Sequence, residues 1–422
     1  MGESTGLIGK RLKVKGVRVS TQLLIDVPLI ITIIMLLVFG LLMLYSASWN
    51  YSLQAYDSGT YILFRQIRWV FFGIAVLVAA ALLDYHKLQI FIPWIMLGVL
   101  GMLILILIDV GNIGSTTGYT RTLTDGGSVQ PSEFAKVAVI LYLASYLSSH
   151  RDNLNSFAKG TFPAMCVIGI PVLLVFMQPD ISAAMTIAVI GGVMLFISGG
   201  NMKHLAVILF ILIVAGFGGY FFFDKVGTRV SEYIAGLVNP TGASYHIRRA
   251  YNAIINGGIF GVGIGKGVAK LTGLPFAWTD SIFAVILEET GLVGGMFVIG
   301  LYTCILWRGY EIFKKAPDYF GKVLAAGVTL WIFMEAALNI CVILNIMPFA
   351  GNALPLISLG GSSMICTMGC LGVLLNISRV AAVENAKKGR NEPDAIINMR
   401  GGNWGWRVSR PGSSSGREEQ RN

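Results

Sequence analysis

Residues 27–48 read VPLIITIIMLLVFGLLMLYSAS, a run without one charged side chain. As a helix rising 1.5 Å per residue it is about 33 Å long, enough to cross a hydrocarbon layer about 30 Å thick. Similar runs lie at 67–83, 90–109, 133–149, 161–177, 181–199, 204–223, 282–306, 322–345 and 361–379. Backbone amides in a bilayer must be paired within a helix or a closed barrel. The alternation of apolar and polar residues that a barrel strand requires is absent from these runs, so helices are predicted. The expected fold is an all-α membrane protein, a polytopic bundle of about ten transmembrane helices with both termini cytoplasmic.

The whole sequence supports this reading. Of 422 residues, 55% are hydrophobic and 13% charged, too little charge to cover a soluble protein of that size. The net charge of +10 is read as topological, not as a nucleic-acid footprint. Lys and Arg near the membrane number about 17 on the terminal side and about 9 on the other, and the positive-inside rule then places the termini in the cytoplasm. Lys10, Arg11, Lys13, Lys15 and Arg18 stand just before the first run. That run is too long for a signal peptide and lacks a small-residue cleavage site, so an anchor is expected. Residues 1–26 form a basic N-terminal segment, 27–380 the transmembrane domain, and 381–422 a polar, disordered cytoplasmic tail.

Three longer connections, 110–132, 224–281 and 346–360, are predicted on the extracytoplasmic side. Connections of such length are more often functional than short ones. No internal repeat is visible, which weighs against a transporter built from inverted repeats. Cys166, Cys304, Cys341, Cys366 and Cys370 all fall in predicted spans, so neither a disulfide framework nor a metal site is expected.

Ionisable groups at membrane depth are costly and commonly functional. Glu133 and Lys136 open the fourth run at i, i+3 and can pair on one helix face. Asp180 follows Gln178-Pro179 at a helix start, where an acid meets the favourable end of the dipole. Asp280 stands at the mouth of the eighth run, with Glu288 and Glu289 two turns further in, and Glu335 lies deep in the ninth. For Asp280 two readings stay open here: a helix N-cap shared with Thr279, or a general base at the membrane surface. The stretch Gly257-Gly258-Ile259-Phe260-Gly261-Val262-Gly263-Ile264-Gly265 lacks the strand context of a nucleotide loop. Close packing of a re-entrant or interfacial segment is expected instead, with Lys266 and Lys270 able to meet an anionic head group. Gly360-Gly361-Ser362-Ser363 reads as a helix start whose N–H groups face outward.

Taken in order, these motifs resemble the SEDS family of bacterial cell-wall polymerases, over roughly residues 27–380. The matching segments are Gln130-Pro131-Ser132-Glu133-Phe134-Ala135-Lys136, Gln178-Pro179-Asp180, Thr279-Asp280 through Gly291, and Leu354-Pro355 through Ser363. The chain departs from the family at Phe276, Trp278 and Ser281, where Glu, His and Phe are usual. His246 and Arg249 replace two glutamines, and Asn352 and Ala353 replace apolar and Pro residues. Arg121 is kept, with Thr122 at a position usually Trp. The segment Gly261 to Gly265 is similar to the FtsW and SpoVE branch.

The resemblance implies a peptidoglycan glycosyltransferase that polymerises lipid II and releases undecaprenyl diphosphate. Asp280 would then be the base of an inverting transfer. Arg121, Glu133, Lys136, Asp180, Arg229, Ser362 and Ser363 would bind substrate, with cations and N–H groups stabilising the leaving pyrophosphate. Arg248 and Arg249 are further cationic candidates, and Arg229 could instead pair with Asp180. A divalent cation, Mg²⁺ or Mn²⁺, could bridge pyrophosphate and carboxylate. The implied partner is a single-span class B penicillin-binding protein in the bacterial cytoplasmic membrane. Rival readings are a lipid II flippase or a non-catalytic scaffold for a transpeptidase.

Overall fold

The computed structural model describes residues 26–112, 129–154, 156–178, 180–203, 224–239, 242–348 and 351–391, with isolated positions between 206 and 221. Residues 1–25 of the basic N-terminal segment, Arg121, nearly all of the run at 204–223 and the predicted tail beyond Asn391 lie outside these residues. Along the chain the helices are α1 (Val27–Tyr56), α2 (Tyr61–Leu82), α3 (Tyr85–Asn112), α4 (Pro131–Ser149), α5 (Phe162–Met177) and α6 (Ile181–Ile197). They are followed by α7 (Asp224–Val238), α8 (Tyr245–Gly257), α9 (Ile282–Lys315), α10 (Tyr319–Ile343) and α11 (Gly361–Asn391). Among the described residues there is no strand.

Seven of these are long and apolar enough to cross a membrane: α1, α2, α3, α5 with the π-turn before it, α9, α10 and α11. Helix α6 is apolar but shorter. Helix α4 carries Glu133 and Lys136 on a buried face. The chain is a multi-pass membrane protein. Phe64, Phe71, Trp94 and Leu97 are exposed on its flank, as lipid-facing side chains of α2 and α3 should be.

Two expectations need correction. The polar tail expected from residue 381 begins as helix, because α11 continues to Asn391. Its sequence there, Ala381-Ala382-Val383-Glu384-Asn385-Ala386, is dominated by residues that favour helix. The connection 224–281 is not a plain loop either. It holds α7 and α8, both strongly amphipathic. In α8 the buried His246, Ile247, Ala250 and Ala253 fall on one face, and Ser244 caps the first turn by accepting from Ile247 N at 3.4 Å.

Packing centres on α4, which touches α3, α5, α6, α10 and α11, while α2 lies along α11 and α1 along α9. The α2–α11 crossing is close because Gly372 has no side chain; a Cβ there would lie 2.4 Å from the Leu77 carbonyl oxygen. At its first turn α1 is held by Asp26, which accepts from Leu29 N. The same carboxylate binds Arg308 of α9 through two bonds of 3.0 and 2.7 Å.

Helix α9 is not continuous. Gly291 breaks it with φ 69° and ψ −168°. The break would orphan backbone groups about 10–15 Å inside the helix, counted at 1.5 Å per residue. The glycine-rich segment inserts there and takes their place. Val262 N and Gly263 N donate to the carbonyls of Glu288 and Glu289, both at 3.0 Å. In return Leu292 N and Val293 N donate to Gly258 and Ile259. Backbones approach so closely that a Cβ on Gly261 (φ +79°) would lie 2.2 Å from the Glu289 carbonyl oxygen. Close packing of a re-entrant segment was expected, but its partner was not identified. Gly261→Ala should therefore lower the melting temperature of the detergent-solubilised protein by several degrees, through strain and lost backbone pairing. Gly101→Ala, where a Cβ meets nothing within 4 Å, should leave it unchanged or raise it slightly.

Candidate functional site

The site begins at helix ends. Helix α4 starts at Pro131, which pre-sets the first turn, and Gln130 occupies its N-cap position. Helix α6 starts after Asp180, whose Oδ1 accepts from Ala183 N at 3.4 Å and from Ser182 Oγ at 3.2 Å. The other oxygen, Oδ2, accepts from Gln130 Nε2 at 2.9 Å and from Ser132 Oγ at 3.0 Å. Asp180 is thus both the cap of α6 and the knot that ties α6 to α4. Gln130 N donates to Ser362 Oγ at 3.2 Å, which brings in the first turn of α11. Ser362 and Ser363 are both buried, so that helix start is covered by protein and does not face outward as expected.

The segment 354–360 carries the connection onward. Ser358 Oγ accepts from Leu354 N at 2.8 Å and donates to the Thr279 carbonyl at 2.7 Å. Leu359 N donates to the Trp278 carbonyl at 3.0 Å. Gln66 of α2 donates to the Ser358 carbonyl. All four sequence motifs therefore meet in one hydrogen-bonded network at one end of the bundle.

Asp280 sits in that network but does not cap α9. The N-cap position is Ser281, without a side-chain capping bond, so the cap reading is set aside. The Asp280 carbonyl accepts from Asn339 Nδ2 at 2.8 Å, and Asn339 also donates to the Asn352 carbonyl at 2.6 Å. Asp280 is half-buried. Its carboxylate lies against Gly351, where a Cβ would stand 2.8 Å from Oδ2. Nearby, Trp278 stacks on Tyr51 of α1 with centroids 4.1 Å apart. Phe276 and Leu356 hold left-handed backbone, φ 50° and 65°. Such strain in non-glycine residues persists only where the surroundings impose it.

Below this layer, Lys136 lies between two carboxylates. Its ammonium donates to Glu133 Oε1 at 2.7 Å and to Glu335 of α10. All three residues are buried, and the Lys136 ammonium stands 6.0 Å from the Trp331 ring centroid. The predicted Glu133–Lys136 pair is present, with Glu335 as an added member. A second buried acidic pair supports the α9 break. Glu288 accepts from Val268 N and Ala269 N at 3.0 and 3.1 Å. Glu289 accepts from Ser46 Oγ, Gly265 N and Lys270 Nζ at 2.7, 2.9 and 2.6 Å. Lys270 is therefore committed to Glu289 and does not serve an anionic head group.

Arg229 is half-buried on α7, which is fixed to residues beyond α10 by a bond from Tyr233 Oη to the Ile346 carbonyl at 2.7 Å. Arg121 lies outside the described residues. Cys366 and Cys370 are buried and free. Among the described residues no three His, Cys, Asp or Glu side chains converge on a point. A hard cation prefers six or more oxygen ligands, so Mg²⁺ or Mn²⁺ at Asp280 would take most of its ligands from substrate and water.

In the sequence Gln130 and Ser358 are marked only as members of matching motifs, and Asn339 is not marked at all. Asn339 could have been, since it follows Glu335 by one helical turn inside an apolar span, where polar residues face the interior. His246, whose Nε2 lies 2.5 Å from Ser281 Oγ, stands out in the sequence only as a departure from the family's glutamine. Burial pushes its imidazole down to about 4, so it is neutral at pH 7.

Fold and site together define a polytopic membrane protein whose motif-bearing helix ends converge around an acidic turn. The chain belongs to the FtsW/RodA/SpoVE family, described as cell cycle proteins, whose pattern matches residues 27–382. It is 32% identical over 357 residues to stage V sporulation protein E of Bacillus subtilis (strain 168), covering 84% of this chain and 97% of that one. It is 34% identical over 357 residues to the probable peptidoglycan glycosyltransferase FtsW of Geobacter sp. (strain M18), covering 84% and 96%. Its fold is shared with a chain of a peptidoglycan synthase complex described as coordinating polymerization and crosslinking. The TM-score there is 0.68 at 24% identity, over 85% of this chain and 99% of that one. It is shared also with the rod shape determining protein RodA of Thermus thermophilus, with TM-score 0.61 at 23% identity over 85% and 97%.

The buried triad gives a direct test. Lys136→Met leaves two carboxylates facing each other without a cation, and breaking a buried pair in this way costs about 3–5 kcal/mol. Glu335→Gln leaves one neutral ion pair and should cost clearly less. Thermal unfolding in detergent should rank wild type above Glu335→Gln, and that variant above Lys136→Met.

Proposed function

We propose that the chain is a peptidoglycan glycosyltransferase that polymerises lipid II on the outer face of the bacterial cytoplasmic membrane. The observation that carries this reading is the convergence of the four motifs on one network with Asp280 at its turn. The curated relatives named as probable peptidoglycan glycosyltransferases support it. The ten-span count rests on adding α4, α6 and the run at 204–223 to the seven long apolar helices. Both termini then lie in the cytoplasm, with the basic segment 1–26 and the residues beyond α11 on that side, and the motif-bearing end faces outward.

In the proposed reaction the growing strand hangs from undecaprenyl pyrophosphate through an α-linked MurNAc. The 4-hydroxyl oxygen of an incoming GlcNAc attacks C1 of that sugar, and the bond from C1 to the pyrophosphate oxygen breaks. The hydroxyl proton passes to the Asp280 carboxylate, and undecaprenyl diphosphate leaves with the electron pair. One displacement inverts the anomeric centre and gives a β-1,4 link, so a single base suffices. Charge that develops on the pyrophosphate needs cationic stabilisation, for which Arg121 and Arg229 are the proposed sources.

Lys136 acts differently in this scheme. Its ammonium stays with Glu133 and Glu335, tying α4 to α10 beneath the site, and Asp180, Ser362 and Ser363 frame the floor on which substrate rests. Cross-linking of the product falls to a class B penicillin-binding protein docked alongside, since no transpeptidase nucleophile is proposed in this chain.

Purified protein in vesicles should polymerise labelled lipid II, and Asp280→Ala should lower the rate by at least about 100-fold with the melting temperature unchanged. Equal polymerisation by both proteins would remove Asp280 as the base. Transport of lipid II across the vesicle bilayer without glycan formation by wild type would replace the polymerase reading with that of a flippase.

A further inference from the structure

The turn from Pro275 to Ser281 carries the carboxylate assigned above to proton transfer, and its backbone is strained at Phe276. Inside the turn, the Phe276 carbonyl accepts from Thr279 N at 3.0 Å and Ser281 N at 3.2 Å. From one flank, Leu359 N, Ser358 Oγ and Asn339 Nδ2 take the carbonyls of Trp278, Thr279 and Asp280 in succession. These bonds fix the backbone on the side of α10 and the 354–360 segment. They leave the closing end of the turn, at Ser281, to be held from elsewhere.

Ser281 is fully buried. Its hydroxyl donates to the Pro275 carbonyl at 2.8 Å and so shuts the turn across its mouth. A hydroxyl has one proton to give. With that proton spent on Pro275, the 2.5 Å contact to His246 makes imidazole Nε2–H the donor and Ser281 Oγ the acceptor. The neutral state of the buried ring supplies a tautomer of that kind. His246 comes from the first turn of α8, which Ser244 caps and the buried Ile247 and Ala250 seat.

We infer that His246 is a positioning residue: through its N–H bond to Ser281 it keeps the 275–281 turn closed, with the Asp280 carboxylate held at the acceptor hydroxyl. This rests on the reading of Asp280 as base. An apolar side chain of similar size would fill the same space but leave Ser281 Oγ without its donor. The strained turn would then relax, and a shift of about 1 Å at a reacting group can cost on the order of 100-fold in rate. The sugar and its lipid would still bind, so the loss belongs to kcat and not to KM.

The test uses the full-length protein in vesicles with labelled lipid II, and melting temperature in detergent as the check on folding. H246A and S281A should each lower kcat by about tenfold or more, with KM changed by less than about twofold. The double variant should be no slower than the slower single one, because both remove the same bond. H246Q places an amide N–H at similar reach and should restore kcat to within about threefold of wild type. S281A opens almost no cavity and keeps the test decisive should H246A not fold. Unchanged kcat in S281A overturns the inference, as does an H246Q that melts like wild type yet is as slow as H246A. An inactive D280N beside an unaffected H246A overturns this inference alone, whereas a fully active D280N removes the base assignment and this inference with it.

Discussion

The rest of the structure depends on the repair of a broken helix. Gly291 interrupts α9 inside the bundle, where unpaired amides and carbonyls would each cost several kcal/mol in hydrocarbon. The segment Gly258 to Gly263 supplies the missing partners, two bonds in each direction. That exchange draws the following residues inward. Val268 N and Ala269 N reach Glu288, and Lys270 reaches Glu289 and Ser46. Only after this anchorage does the chain arrive at Pro275, so the geometry of the Asp280 turn is inherited from a backbone contact some distance away.

The second constraint is how so many acids are tolerated at depth. Each has a specific answer. Glu133 and Glu335 share Lys136, Glu289 has Lys270 and Ser46, Glu288 has two backbone N–H groups, and Asp180 has four donors across α4 and α6. Through Lys136, Glu335 and Asp180 these bonds tie α4 to α10 and α6, and those of Glu288 and Glu289 tie the 265–270 segment and α1 to α9. The acidic groups thus form the scaffold of the site, while Asp280 remains half-buried, its carbonyl and its neighbours pinned.

Much of this was legible in the chain because it is local. Runs of apolar residues announce helices, the i, i+3 spacing pairs Glu133 with Lys136, and Asp180 caps the helix that follows it. What escaped is what depends on tertiary neighbours. Nothing in the sequence places Glu335 on Lys136, Ser358 on Thr279, or Lys270 on Glu289 instead of at the surface. The helices in 224–281 are amphipathic and short, so they carry no long apolar run to mark them. The N-cap reading of Asp280 failed because the tight turn from Phe276 to Ser281 delays the helix by one residue. Polarity hides the helix at the start of the tail, where Ala381 to Ala386 favour one.

The repaired break also imposes an order of events. The glycine-rich segment precedes α9 in the chain, yet its partners, Glu288 to Val293, lie in the helix made after it. The backbone pairs of Val262, Gly263, Leu292 and Val293 therefore cannot form until both stretches of chain are in place. The segment has five glycines between 257 and 265, and glycine is among the weakest helix formers. The turn that carries Asp280 lies between the two paired stretches, within the length of chain that this pairing closes.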